Sequence, residues 1–120
     1  MTTITITVKE LYEQAHQAGM KAGGVSTPAP MIVKGSDGTV YFVEDGMCGF
    51  AWINIKPARG AFVQYLKSID AGFPDSTYGG YSVWVSAFEQ SIERKEAYAK
   101  AFSKVLADYG IESNVGSRLD

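Results

Sequence analysis

The chain carries three arginines in 120 residues, Arg59, Arg94 and Arg118, and the company each keeps suggests a chemistry. The stretch "IKPARG" places Lys56 and Arg59 where a helix should begin, and free N–H groups with the helix dipole attract anions there. "EQSIERK" places Gln90, Ser91, Arg94 and Lys95 near the start of a second, longer helix, and Arg118 lies in "GSRLD". Guanidinium forks match phosphate and carboxylate geometry. Tyr78, Tyr81, Trp84 and Phe88 offer rings on which a base could stack. Asn54 interrupts the apolar run "FAWINI", where an amide needs a partner. Together these residues suit a small anionic, nucleotide-like ligand. Arg59, Lys95 and Arg118 would hold phosphate, with Ser91 beside them. Tyr78 or Trp84 would stack the base, and Asn54 or Gln90 would read its edge. The plainer alternative is that each arginine makes a surface ion pair and each ring is core.

Other chemistries are poorly supplied. His16 and Cys48 are the only histidine and cysteine, so one chain cannot assemble a Cys/His zinc site. A nucleophile–histidine dyad would have to use His16, which no spacing supports. Cys48, in "MCGFAWINIKPARG", has the acidic neighbours Glu44 and Asp45 and reads as a packing residue with Phe50 and Trp52. Neither G-x-x-x-x-G-K-[ST] nor G-x-G-x-x-G occurs, and "YGGY" reads as a tight turn. The carboxylates fall at turns or on a solvated helix face, and no pair has acid–base spacing. No catalytic residue, metal or cofactor is expected. Net charge is -2, which gives no general attraction to duplex nucleic acid or anionic membrane. No apolar run is long enough to span a bilayer, and no signal-peptide pattern is present. A cytoplasmic protein is expected.

Positioning these residues requires the following elements. "TITITV" alternates as a short strand or extended arm. Thr7 and Glu10 have capping-box spacing before a helix whose Leu11, Ala15 and Met20 should share a face. Residues 1–30 form an N-terminal arm and helix, and residues 31–120 an α+β body, within a single domain. "SDGT" and "EDGM" separate three apolar runs and predict a three-stranded antiparallel meander from Met31 to Ile55. Phe62, Leu66 and Ile69 then mark a helix, and "FPDSTYGG" a loop. "YSVWVSA" is a fourth strand, with Trp84 on the opposite side from Tyr81, Val83 and Val85. The longest helix runs to about Tyr109, starting at Phe88 or at Ser91, and "IESNVGSRLD" is a possible edge strand. The expected architecture is a mostly antiparallel sheet covered by two helices, with an N-terminal helix.

"CGFAWINIKPARG", "YGG", "QSIERKEAYA" and "SRLD" also resemble motifs of a family of small tailed-bacteriophage proteins to which no activity is assigned. The pattern is C-G-F-A-W-[VI]-N-[VI]-[KR]-P-A-R-G, Y-Y-G-G, G-Q-S-x-x-R-K-E-A-Y-A and S-R-[LM]-D. It covers about the last two-thirds of the chain, with "TYGGY" and "EQS" as departures. The resemblance implies a phage accessory protein acting in the host bacterial cytoplasm, and it carries over no catalytic residues. A host-takeover or anti-defence protein that sequesters a signalling nucleotide is the leading expectation. A homodimer or higher homo-oligomer is expected with it, because a small domain has little concave surface. The alternatives are a protein inhibitor of a host enzyme and a metal-dependent nucleotide hydrolase.

Overall fold

The computed structural model describes residues 6–25, 31–34, 36, 40–43, 49–88 and 91–119. The elements follow the order α1 (Val8–Val25), β1 (Met31–Lys34), β2 (Val40–Val43), β3 (Gly49–Ile55), α2 (Ala61–Ser68), β4 (Phe73–Pro74), β5 (Tyr81–Trp84), α3 (Ile92–Asp108) and β6 (Ser113–Leu119). The fold is α+β, with a four-stranded antiparallel sheet in the order β4-β5-β3-β6.

The expected meander is corrected in one respect. β1 and β2 pair as a hairpin, with Ile32 opposite Phe42, but β3 does not join them. β3 is the centre of the other sheet, between β5 and β6. Its residues from Ala51 to Ile55 are buried on both faces, and an edge position would leave such a strand half covered. The possible edge strand is real: β6 pairs with β3 along its whole length. Phe73 and Pro74, expected in a loop, form the short opposite edge.

Strand alternation divides β3 between two environments. Ala51, Ile53 and Ile55 enter one apolar cluster with Leu11 and Ala15 of α1, Phe62, Val63 and Leu66 of α2, and Tyr98, Ala99, Phe102 and Leu106 of α3. All three helices therefore bury against one side of the sheet. Phe50, Trp52 and Asn54 point to the other side.

α1 starts as expected, with the Glu10 N–H donating to Thr7 Oγ1 at 3.1 Å. Its buried stripe is Leu11, Ala15, Gly19 and Gly23, and Met20 is exposed instead. Gly19 is needed for close approach: a Cβ there would stand 2.5 Å from the Tyr98 ring. α1 and α3 are joined further by Arg94, whose Nη1 donates to the carbonyls of Gly23 and Gly24 at 3.1 and 3.4 Å. One of the three arginines thus caps a helix end. α3 begins after Ser91, whose Oγ accepts from the Arg94 N–H at 3.4 Å. α2 ends before Ile69, which is exposed rather than part of the buried stripe.

Candidate functional site

The side of the sheet away from the helices is assembled by register. Trp84 of β5 and Gly116 of β6 lie opposite Trp52, Arg118 opposite Phe50, and Ser82 and Asn114 opposite Asn54. Directly opposed residues share a face. Residues separated by up to 68 positions in sequence therefore meet on one surface, since Phe50 lies across from Arg118.

Aromatic rings dominate this face. Trp52 stacks at 5.5 Å on Trp84 and at 5.9 Å on Tyr78, with interplanar angles of 20° and 25°. Phe50 and Phe73 approach Trp84 at 5.3 and 6.4 Å. Trp52 is almost covered, whereas Tyr78, Phe73 and Trp84 are 57%, 41% and 38% exposed. Gly116 makes room for this arrangement, since a Cβ on it would stand 2.3–2.5 Å from the Trp52 indole. Exposed rings gathered in one patch are unusual on a surface without a binding role.

A hydrogen-bonded chain fixes the turn that carries Tyr78. Asn54 Nδ2 donates to Gly79 O at 2.8 Å and to Ser82 Oγ at 2.9 Å. Ser82 Oγ donates to Asp75 Oδ2 at 2.8 Å. Asp75 Oδ1 accepts from the N–H groups of Thr77 and Tyr78 at 2.9 and 3.0 Å. The Tyr78 N–H and the Ser82 hydroxyl, followed by the Thr77 N–H and the charge of Lys56, hold the Asp75 carboxyl below its ordinary range against the opposing effect of burial. The partner that Asn54 required is this turn.

Two adjoining hollows open on the face. The larger, about 420 Å³, is lined by Trp52, Asn54, Lys56, Tyr78, Asn114 to Ser117 and Arg118. The smaller, about 180 Å³, is lined by Phe73, Asp75, Thr77 and Trp84, and it shares Trp52, Tyr78 and Arg118 with the first. The Arg118 guanidinium lies 5.4 Å from the Phe50 ring centre and 5.6 Å from that of Trp84. Lys95 Nζ lies 5.4 Å from the same Phe50 ring.

Known proteins offer no guide to this arrangement. No family model, curated protein or solved structure matches the chain.

The face brings together Asn54, Tyr78, Trp84 and Arg118 of the residues expected at a site. Lys95 reaches its Phe50 end but is itself 5% exposed. Ser91 is buried as the α3 cap. Arg59 is exposed and lines neither hollow, so the expected pairing of Arg59 with Arg118 is replaced by Lys56 with Arg118. Gln90 and Cys48 lie outside the described residues. Trp52, read as packing, is buried and also walls both hollows. Lys56 was read only as a cation beside Arg59 at a helix start, and Phe73 and Asn114 were not anticipated. Alternation along β3 pointed to Trp52, because it shares a side with Asn54. Nothing local pointed to Asn114, which depends on the β3–β6 register.

His16 belongs to a different hollow, about 330 Å³, between α1, α3 and the end of β5. Its Nδ1 lies 2.6 Å from the Tyr98 hydroxyl, which burial and, less, the nearby Tyr12 push well above the usual phenol range. Among the described residues no group of three or more His, Cys, Asp or Glu could hold a metal, and no helix is long and apolar enough to cross a membrane.

Proposed function

We propose that the chain binds a small anionic, nucleotide-like ligand on the open face of the sheet and does not turn it over. The observation that carries this reading is the pair of exposed rings, Tyr78 and Trp84, on either side of the nearly covered Trp52, with Lys56 at one hollow and Arg118 at both. Base stacking on such rings contributes about 1–3 kcal/mol per base, and the cations supply attraction for phosphate. Among the described residues Asp75 is the one carboxylate lining these hollows, and its oxygens already accept three hydrogen bonds. A carboxylate so stabilised in its charged form is a poor proton donor or acceptor at neutral pH, which favours binding over catalysis. The phage resemblance supplies the setting: an accessory protein in the host cytoplasm that withdraws a signalling nucleotide by holding it.

Isothermal titration with nucleoside monophosphates, alongside tryptophan fluorescence, tests the reading. Binding should quench Trp52 and Trp84. Arg118→Gln and Lys56→Ala should each weaken it by roughly tenfold, as expected for one charge-assisted contact of about 1.5 kcal/mol. Arg59→Ala should leave it unchanged. Absence of heat and of quenching with every nucleotide at millimolar concentration would reject it.

A further inference from the structure

α2 and α3 end in the same backbone motif. At α3 the Gly110 N–H donates to Ala107 O at 3.0 Å and the Ile111 N–H to Leu106 O at 2.9 Å, with Gly110 at φ 82°. At α2 the Asp70 N–H donates to Lys67 O at 3.2 Å and the Ala71 N–H to Leu66 O at 2.8 Å, with Asp70 at φ 59°. Both are Schellman ends, whose left-handed position favours glycine. α3 has the glycine and α2 has an aspartate. The position is unfavourable for an aspartate in a second way, because the C-terminal pole of a helix repels anions. Among the described residues, the Asp70 carboxylate accepts no hydrogen bond and joins no ion pair. Lys67, in the last turn of α2, stands over the Tyr81 ring at 5.8 Å instead.

Asp70 lines the hollow that also holds His16, about 330 Å³ in volume. Four rings in a closed circuit line it too. Tyr12 stacks on His16 at 6.1 Å and 2°, and His16 meets Tyr98 edge-on at 5.7 Å. Tyr98 stacks on Phe102 at 5.9 Å, and Phe102 meets Tyr12 edge-on at 6.0 Å. Tyr98 and Phe102 are buried, whereas Tyr12 is half-buried and His16 exposed, so the two α1 rings are the accessible ones. Among the described residues, Asp70 is the one carboxylate on this hollow, and no lysine or arginine lines it. The open face of the sheet has the opposite character, with Lys56 and Arg118. A carboxylate beside accessible ring faces suits an ammonium group, which is drawn both to the charge and to the ring quadrupole. We propose that this hollow is a second binding site, separate from the open face, and takes a small organic cation with an ammonium head. Asp70 supplies the countercharge, and Tyr12 with His16 supplies the aromatic surface. This contact explains why the end of α2 carries an aspartate where the end of α3 carries glycine.

The test uses the full chain with choline and with its uncharged isostere, in which a tert-butyl group replaces the trimethylammonium head. Binding is followed by isothermal titration and by amide chemical shifts. Choline should bind at least tenfold more tightly than the isostere. The shifts should fall on Gly72, Val83 and Ala87, which line this hollow, and not on Asn114 and Gly116 of the open face. Asp70→Asn keeps the shape and tolerates a positive φ, and it should weaken choline at least tenfold. Asp70→Gly should weaken it equally while leaving the urea midpoint unchanged or higher, so the loss is not one of folding. Neither variant should alter nucleotide binding, which keeps the two sites distinguishable. Equal affinity for choline and the isostere would overturn the proposal. So would choline shifts on the open face, unchanged affinity in Asp70→Asn, or no binding of choline at tens of millimolar. A lowered urea midpoint in Asp70→Gly would show that the aspartate serves stability, and would overturn it as well.

Discussion

Asn54 and Gly116 stand opposite neighbours of one another across β3 and β6, and they differ in how openly the sequence declares them. An amide inside an apolar strand announces an unmet hydrogen-bonding demand, and the structure meets it with Gly79 and Ser82. Removing the amide strands these partners, so Asn54→Ala should cost about 1–3 kcal/mol in urea unfolding and loosen Tyr78 from Trp52. Gly116 announces nothing, because one more glycine in a polar segment reads as a turn. Only the pairing of β6 with β3 reveals that the Trp52 indole occupies the space of its missing side chain. Gly116→Val should displace that indole, lowering stability by about 1–3 kcal/mol through overpacking and changing the near-ultraviolet spectrum. Gly24→Ala is the matched control, since a Cβ there meets nothing within 4 Å. It should be neutral or stabilising by up to about 1 kcal/mol. Equal losses in both variants would show that the indole does not lie on Gly116.

Among the elements, helices and the hairpin were legible and the sheet's partnerships were not. Helix periodicity and capping are local, so α1, α2 and α3 could be placed to within a few residues from spacing alone. β3 was legible as a strand, but a strand with two apolar faces has no local preference for its predecessor over later strands. For the same reason Lys56 and Arg59 were indistinguishable: they flank one proline, and the path of the chain after β3 decides which lines the larger hollow. The Asp75–Gly80 turn joins this local and long-range information, with Asp75 holding its own turn and reaching Ser82. Its pKa is lowered in the folded state, so the stability it contributes is complete above the unfolded value of about 3.9 and is lost as pH falls through the lower folded value. The stability difference between the parent chain and Asp75→Asn should therefore be constant from pH 7 to about 5 and close only below about pH 4. A difference that changes between pH 5 and 7 would assign the dependence to another group.

Across the whole molecule, the decisive relation is between α1 and everything after it. The glycine- and proline-rich stretch "GGVSTPAP", Gly23 to Pro30, suggests from sequence a seam, with the helix as an arm beside an α+β body. The buried contacts point the other way. Leu11 and Ala15 share one cluster with Ile53 at the centre of the sheet and with Phe102 of α3. Tyr98 fits over Gly19, and Arg94 closes the end of α1 from the first turns of α3. α3 in turn packs on β3 and β6, the strands that carry Trp52, Asn54 and Arg118 on their far side. Loss of α1 packing should therefore reach the open face through two layers. Leu11→Ala removes a nearly buried side chain from that cluster and should cost about 2–5 kcal/mol. Urea unfolding followed by far-ultraviolet circular dichroism and by tryptophan emission should give one coincident transition, shifted to lower urea by the substitution. A separable arm would behave differently: tryptophan emission, which reports the sheet, would keep its midpoint while the helix signal fell earlier. Coincident curves in the parent and in Leu11→Ala thus require that the first helix and the ring-lined face fold as one unit.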